Sequence, residues 1–234
     1  MGAEHPGQWQ EAVASALDWW RDAGVDVLVE DLPRDWLARA VAPVPVAAPV
    51  AVPDALPGTL AEFLAWRGGE AAPEAAWRGV SLTASGPADA ALMMLVDCPD
   101  RDDADCLLSG KAGKLFDRML AAIGVQREAV HLAAVCVRRP ATGRMPREME
   151  AELHRLTLHH LGLVAPARVL LLGDAASRAL TGTEVLRARG SLRRIKHDRG
   201  ETDAVASFHP RLLLERPAQK ADAWRDLQLL MRTG

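Results

Sequence analysis

The chain has 234 residues, 49% hydrophobic and 25% charged, enough to bury a core and too apolar for a disordered chain. Its net charge of −3 conceals a division: residues 1–105 hold 6 Lys/Arg against 18 Asp/Glu, residues 106–234 hold 22 against 13, so an anionic partner for the second half is not excluded. No apolar run reaches the ~18 residues of a spanning helix, the N-terminus lacks a secretory-signal pattern, and Cys98, Cys106 and Cys136 show no C-x-x-C spacing, which together point to a soluble, cytoplasmic protein of a reducing compartment.

Residues 8–22 read as an amphipathic helix. Trp9, Ala12, Val13, Ala16, Leu17 and Trp20 recur at helical spacing, and Gly24 can supply the left-handed residue after it. Residues 41–58 hold five prolines and one charge, a composition that favours an extended tether. The organisation expected is therefore a helical arm over 1–40, a linker over 41–58 and one folded domain over 59–234. Thr59 and Glu62 form a capping box ahead of Phe63, Leu64 and Trp66. From about residue 90, strands alternate with helices: strands at 91–96, 130–137 and 169–172, helices at 112–123, 147–163 and 174–180. Segments 192–196 and 204–208 flank the turn Asp198-Arg199-Gly200, the second serving as the last sheet strand, and Pro217 opens a terminal helix carrying Trp224, Leu227 and Leu230. Short apolar strands separated by helices predict a three-layer α/β/α domain around a central parallel sheet.

Right-handed crossovers bring every strand C-terminus to one edge, where such sheets bind ligands. That edge collects residues 97–105, 138–144, Gly173 and 209–213. His209, stiffened by Pro210, can donate to developing negative charge, and leucines exposed after it can wedge between bases. The plain alternative is a loop histidine followed by leucines that open a core helix. Asp97, Asp100, Asp102, Asp103 and Asp105 form either a Mg²⁺ cradle or a solvated acidic loop; the absence of calcium-loop spacing favours the latter. His154, His159 and His160 lack the i, i+4 spacing of paired metal ligands, so no metal is expected. Arg187, Arg189, Arg193, Arg194, Lys196 and Arg199 make a basic hairpin, with Asp198 the acid among them: a DNA-backbone surface in a nucleic-acid-binding fold, otherwise a solvated face.

Over residues 85–231 the chain resembles the uracil-DNA glycosylase superfamily, especially its family 4 branch. Gly110-Lys111-Ala112-Gly113-Lys114-Leu115-Phe116-Asp117 matches G-x-A-G-x-L-L-D. Leu172-Gly173-Asp174-Ala175-Ala176 matches the strand-to-helix L-G-x-x-A, and His209-Pro210 with Leu213 and Leu214 matches H-P-x-x-L-L. A C-terminal Trp-x-Asp-Leu at 224–227 follows in order. The departures fall on the active positions. Where the family carries G-E-x-P-G, the chain has Val96-Asp97-Cys98-Pro99-Asp100; Leu108 replaces the stacking phenylalanine and Ala134 the uracil-reading asparagine. Alanine makes none of the paired hydrogen bonds of a buried amide. The second cysteine pair of the branch's iron–sulfur cluster aligns with Arg138 and His154, and the first has no counterpart, so neither this cluster nor any other cofactor is expected. Cys136, one strand step away, reads as a small buried hydrophobe.

The resemblance implies hydrolysis of the N-glycosidic bond of a deaminated or damaged base in DNA. Asp97 would position water and His209 would stabilise the departing base. Pro99, Leu108, Gly110 and Lys111 on one side, and Arg138, Arg139, Pro210, Arg211 and Leu213 on the other, are the expected DNA contacts, with Arg193 and Arg194 on the backbone. The lost asparagine and aromatic platform favour instead a non-catalytic DNA-binding or repair-adaptor relative. A third reading is a protein adaptor whose arm presents Trp19, Trp20 and Trp36 to a partner. The chain is expected to act as a monomer.

Overall fold

The computed structural model describes residues 8–23, 55–143 and 145–232. The chain divides into two compact units, Met1–Val46 and Ala47–Gly234. In the first, helix α1 covers Gln8–Asp22, as its periodicity predicts, with Val13, Leu17, Trp19 and Trp20 exposed. Trp36, Gly24 and most of the 41–58 segment lie outside the described residues.

In the second unit, helix α2 (Leu60–Gly68) begins with the expected box: Thr59 Oγ1 accepts the Glu62 amide at 3.3 Å and donates to the Glu62 carboxylate at 2.8 Å. Strand β1 (Leu92–Val96) leads through α3 (Lys111–Ala122) to β2 (Val130–Ala134). Helix α4 (Glu150–Val164), entered through a 3-10 turn at Arg147–Met149, leads to β3 (Arg168–Leu172). Then come α5 (Asp174–Thr181), α6 (Val185–Ala188), β4 (Leu192–His197), β5 (Gly200–Ser207), α7 (Pro210–Glu215) and α8 (Lys220–Arg232). The five-stranded sheet runs β2-β1-β3-β5-β4, parallel except for β4, which pairs antiparallel to β5. The segments flanking the 198–200 turn are thus both sheet strands, joined as a hairpin, and the sheet is mostly rather than wholly parallel.

Alternation along each strand builds two cores, as a sheet buried on both faces requires. Met93, Leu95, Val169 and Leu171 pack with Phe63, Leu153, Leu156 and Ala176. Met94, Val96, Leu170, Leu172 and Val205 pack with Phe116, Leu120, Leu227 and Leu230 on the other face. The second predicted strand is shortened: the Val135 and Cys136 amides still donate to the Val96 and Asp97 carbonyls at 2.9 and 3.1 Å, but Val137 is held elsewhere. The Leu82 amide donates to the Val137 carbonyl at 2.8 Å, and Val137 donates to Glu74 Oε1 at 3.0 Å. Glu74 forms a buried ion pair with Arg67 at 2.6 Å, and Arg67 also reaches the Val135 carbonyl. Chain order reverses at β1, which has β2 on one side and β3 on the other. Such a switch point leaves a crevice beyond the carboxyl ends of the two strands, and Asp97 and Gly173 stand there. Among the described residues, no helix is long and apolar enough to cross a membrane.

Candidate active site at the sheet switch point

Asp97 directly follows β1. Its Oδ1 accepts the Ala176 amide at 2.7 Å, so the carboxylate caps α5 from a neighbouring strand, a favourable position for a negative group. Gly173 makes this approach possible. Its φ is +118°, and a Cβ there would sit 2.6 Å from the Asp97 Cγ. Burial pushes the Asp97 carboxyl up to about 6; the Asp174 charge adds to this, while the Ala176 and Ala175 amides and Arg178 oppose it.

His209 caps α7 and is 8% exposed. Its Nδ1 accepts the Arg211 amide at 3.2 Å, which leaves the ring proton on Nε2. Burial, helped by the Arg211 charge, pushes it down to about 4, so at neutral pH His209 is an uncharged Nε2–H donor. Asp97, Asp174, His209 and Phe208 line one cavity of about 470 Å³. A second, of about 760 Å³, shares Asp97, Asp174 and Arg211 with it and continues past Cys98, Cys136 and Met145. Burial pushes the Cys98 thiol up to about 11 and raises Cys136 as well, so neither is a thiolate nucleophile at neutral pH.

A third cavity, of about 610 Å³, holds Lys111, Arg139, Arg211 and Leu214. Within it Asp100 bridges Arg211 at 2.9 Å and Arg139 at 3.6 Å. Burial pushes the Asp100 carboxyl up, but the Arg101 amide and the Arg211 guanidinium outweigh it and hold the group below its ordinary value. The acidic loop is organised by its own backbone: Asp103 accepts the amides of Asp100, Leu108 and Ser109 at 2.8, 3.0 and 2.9 Å. Among the described residues no group of three or more His, Cys, Asp or Glu is arranged for a metal.

Asp97, Lys111, Arg139, His209 and Arg211 thus come together along the sheet edge. Pro99 and Pro210 are buried beside them, and Gly110 caps α3 where a Cβ would meet Asp102 at 2.6 Å. Other expected contacts fall elsewhere. Leu108 is 2% exposed, in a left-handed conformation with φ of 54°; its side chain belongs to the core with Phe116, so it offers no stacking surface. Leu213, expected as an exposed wedge, is 1% exposed and packs with Val185, Phe208 and Ala223, because α7 turns that position inward; its neighbour Leu214 is 43% exposed. Arg138 points to the Trp77 and Gly79 carbonyls, away from the cavities. Half of the basic run is paired: Arg194 lies 3.5 and 3.6 Å from Glu201 and Asp203, Lys196 reaches Glu201, and Arg189 pairs with Asp222 and Asp226. Arg193 and Arg194 sit on edge strand β4 and line none of the three cavities. The acids that answer Arg194 and Lys196 come from the facing strand, and those that answer Arg189 come from α8.

Where the resemblance expects cluster cysteines, Arg138 and His154 are committed to carbonyls, His154 Nδ1 donating to Ala179; neither side chain is a thiolate, and this donor set does not fit an iron–sulfur cluster. Cys136 is buried in the core, as expected. Ala134 ends β2 at 8% exposure and offers a base no hydrogen bond from its side chain. Asp174 was legible in sequence only as a helix start; its place in the L-G-x-x-A segment at the strand-end edge was the available signal.

A family model described as the uracil DNA glycosylase superfamily matches residues 84–228. The type-4 uracil-DNA glycosylase of Archaeoglobus fulgidus is 28% identical over 126 residues, 51% of this chain and 63% of that protein. The chain therefore matches less than two thirds of the length of this curated relative.

Proposed function

The chain belongs to the uracil DNA glycosylase superfamily, and from that premise we propose that it hydrolyses the N-glycosidic bond of a deaminated or damaged base in DNA. The observation that carries this reading is the 470 Å³ cavity in which a carboxylate pair, Asp97 and Asp174, shares walls with a neutral histidine. A nucleotide turned out of the stack is needed to bring its C1′ into such a cavity. The His209 Nε2–H faces the charge that develops on the departing base, as an oxyanion donor would. A carboxylate of the pair orients the attacking water. Lys111, Arg139 and Arg211 supply the cationic rim for phosphates, and Leu214, exposed on α7, takes the wedge role.

The test is incubation of the purified chain with oligonucleotides carrying uracil, hypoxanthine or xanthine, followed by cleavage of abasic sites. Release of one of these bases is expected. His209→Ala should slow it by ~10²–10³, the effect of losing one such donor. A second reading, a DNA-binding relative without catalysis, is favoured by Ala134 and by the burial of Leu108, which leave the base without an amide or an aromatic platform from those positions. Salt-sensitive DNA binding with no base released would establish it.

A further inference from the structure

The two carboxylates beside His209 are not equivalent. Asp97 is pressed beneath α5, with Oδ1 on the Ala176 amide at 2.7 Å and Gly173 packed against the carboxylate. Its Oδ1 is engaged in holding the start of that helix. Asp174, the first residue of α5, borders the 470 and the 760 Å³ cavities as Asp97 does, but it is exposed where Asp97 is half-buried. The Val185 amide donates to its Oδ1 at 3.0 Å. One oxygen is thereby fixed by backbone, which sets the direction of the carboxylate at the mouth between the two cavities.

We propose that Asp174 is the catalytic base that activates water, and that Asp97 is a positioning residue that fixes the first turn of α5 beneath it. This rests on the glycosylase reading above. In the step, the water oxygen bonds to C1′ as the C1′–N bond breaks, and the electron pair of that bond leaves with the base. The His209 Nε2–H hydrogen-bonds to the base anion, and the water proton passes to the Asp174 carboxylate. The products are the free base and an abasic sugar with a hydroxyl at C1′; the proton on Asp174 returns through solvent to the base.

The experiment measures single-turnover base release by the full chain for wild type, Asp174→Asn, Asp174→Ser and Asp97→Asn, with DNA affinity and thermal melts alongside. Asp174→Asn should lose ~10²–10⁴ in rate, the range of a positioned general base, while keeping DNA affinity. Asp174→Ser retains an oxygen for the Val185 amide; it should be folded and equally slow, which separates catalysis from stability. Asp97→Asn, which keeps an oxygen for the Ala176 amide, should release base faster than either Asp174 variant. Either Asp174 variant releasing base within threefold of wild type overturns the assignment, as does Asp97→Asn proving slower than both Asp174 variants. Active wild type with indifferent Asp174 variants sinks this assignment alone, whereas a wild type that releases no base from any substrate sinks the glycosylase reading and this assignment together.

Discussion

Asp97 and His209 titrate in opposite senses. The folded chain binds a proton on Asp97 up to about pH 6, against an ordinary value of 3.8. The stability this contributes is full below 3.8 and is lost as pH rises through about 6. His209 is pushed from 6.5 down to about 4, so its contribution is full above 6.5 and is lost as pH falls toward 4. Burial also lowers His131 and His160, which act in the same direction as His209. Relative to wild type, Asp97→Asn should therefore gain melting temperature as pH rises from 4 to 6, and His209→Gln should lose it. Parallel melting curves across that range would refute both shifts. Position at a strand end made these two residues legible. Leu108 was not, and Leu213 was legible only as one of two alternatives, the opening of a core helix, because whether a leucine faces solvent or core depends on the helix beside it.

At the element scale, the start of α5 is where backbone and side chain compete for one volume. Gly173→Ala brings a φ of +118° and a clash with the Asp97 carboxylate; a loss of about 2–4 kcal/mol in chemical denaturation is expected. Adding Asp97→Ala should restore part of it by removing the clash, while the backbone strain remains; additive losses would exclude the contact as the cause. The end of β5 is held differently. Asp226, fully buried, accepts from Ser207 Oγ at 2.9 Å, Arg189 Nε at 3.2 Å and the Gly190 amide at 3.2 Å, and Arg189 stacks on Phe208 at 4.8 Å. This network anchors the two residues before His209 to α8. Asp226→Ala should cost about 2–4 kcal/mol in stability and also slow base release; release at the wild-type rate would show that the His209 loop needs no such anchor.

At the scale of the whole molecule, charge and covering segments decide. Lys111 is exposed on the cationic cavity, while Arg194 faces two carboxylates. Lys111→Glu should weaken DNA binding and reduce the salt slope by about 1, whereas Arg194→Glu should change little. Equal losses would place the DNA path along the β4–β5 hairpin instead. The Arg67–Glu74 pair ties the 60–82 segment to the chain beyond β2. Glu74→Ala should cost about 3–5 kcal/mol, since it strands a buried guanidinium. A double Arg67→Met, Glu74→Leu variant should recover only part in denaturation curves, because the Val135 carbonyl and Val137 amide lose their partners.

The sequence by itself determined the alternation of strand and helix, the sheet edge where chemistry gathers, and the placing of Asp97 and His209 on it. Period, capping and strand-end position are local properties, and local spacing records them. Only the tertiary structure decided that Asp97 caps α5, that Asp174 opens onto the cavities, that Leu214 rather than Leu213 is exposed, and that Asp222 and Asp226 answer Arg189. Each of these depends on residues brought together from distant parts of the chain, and burial, partner and charge balance are set by those neighbours rather than by the order of residues along one segment.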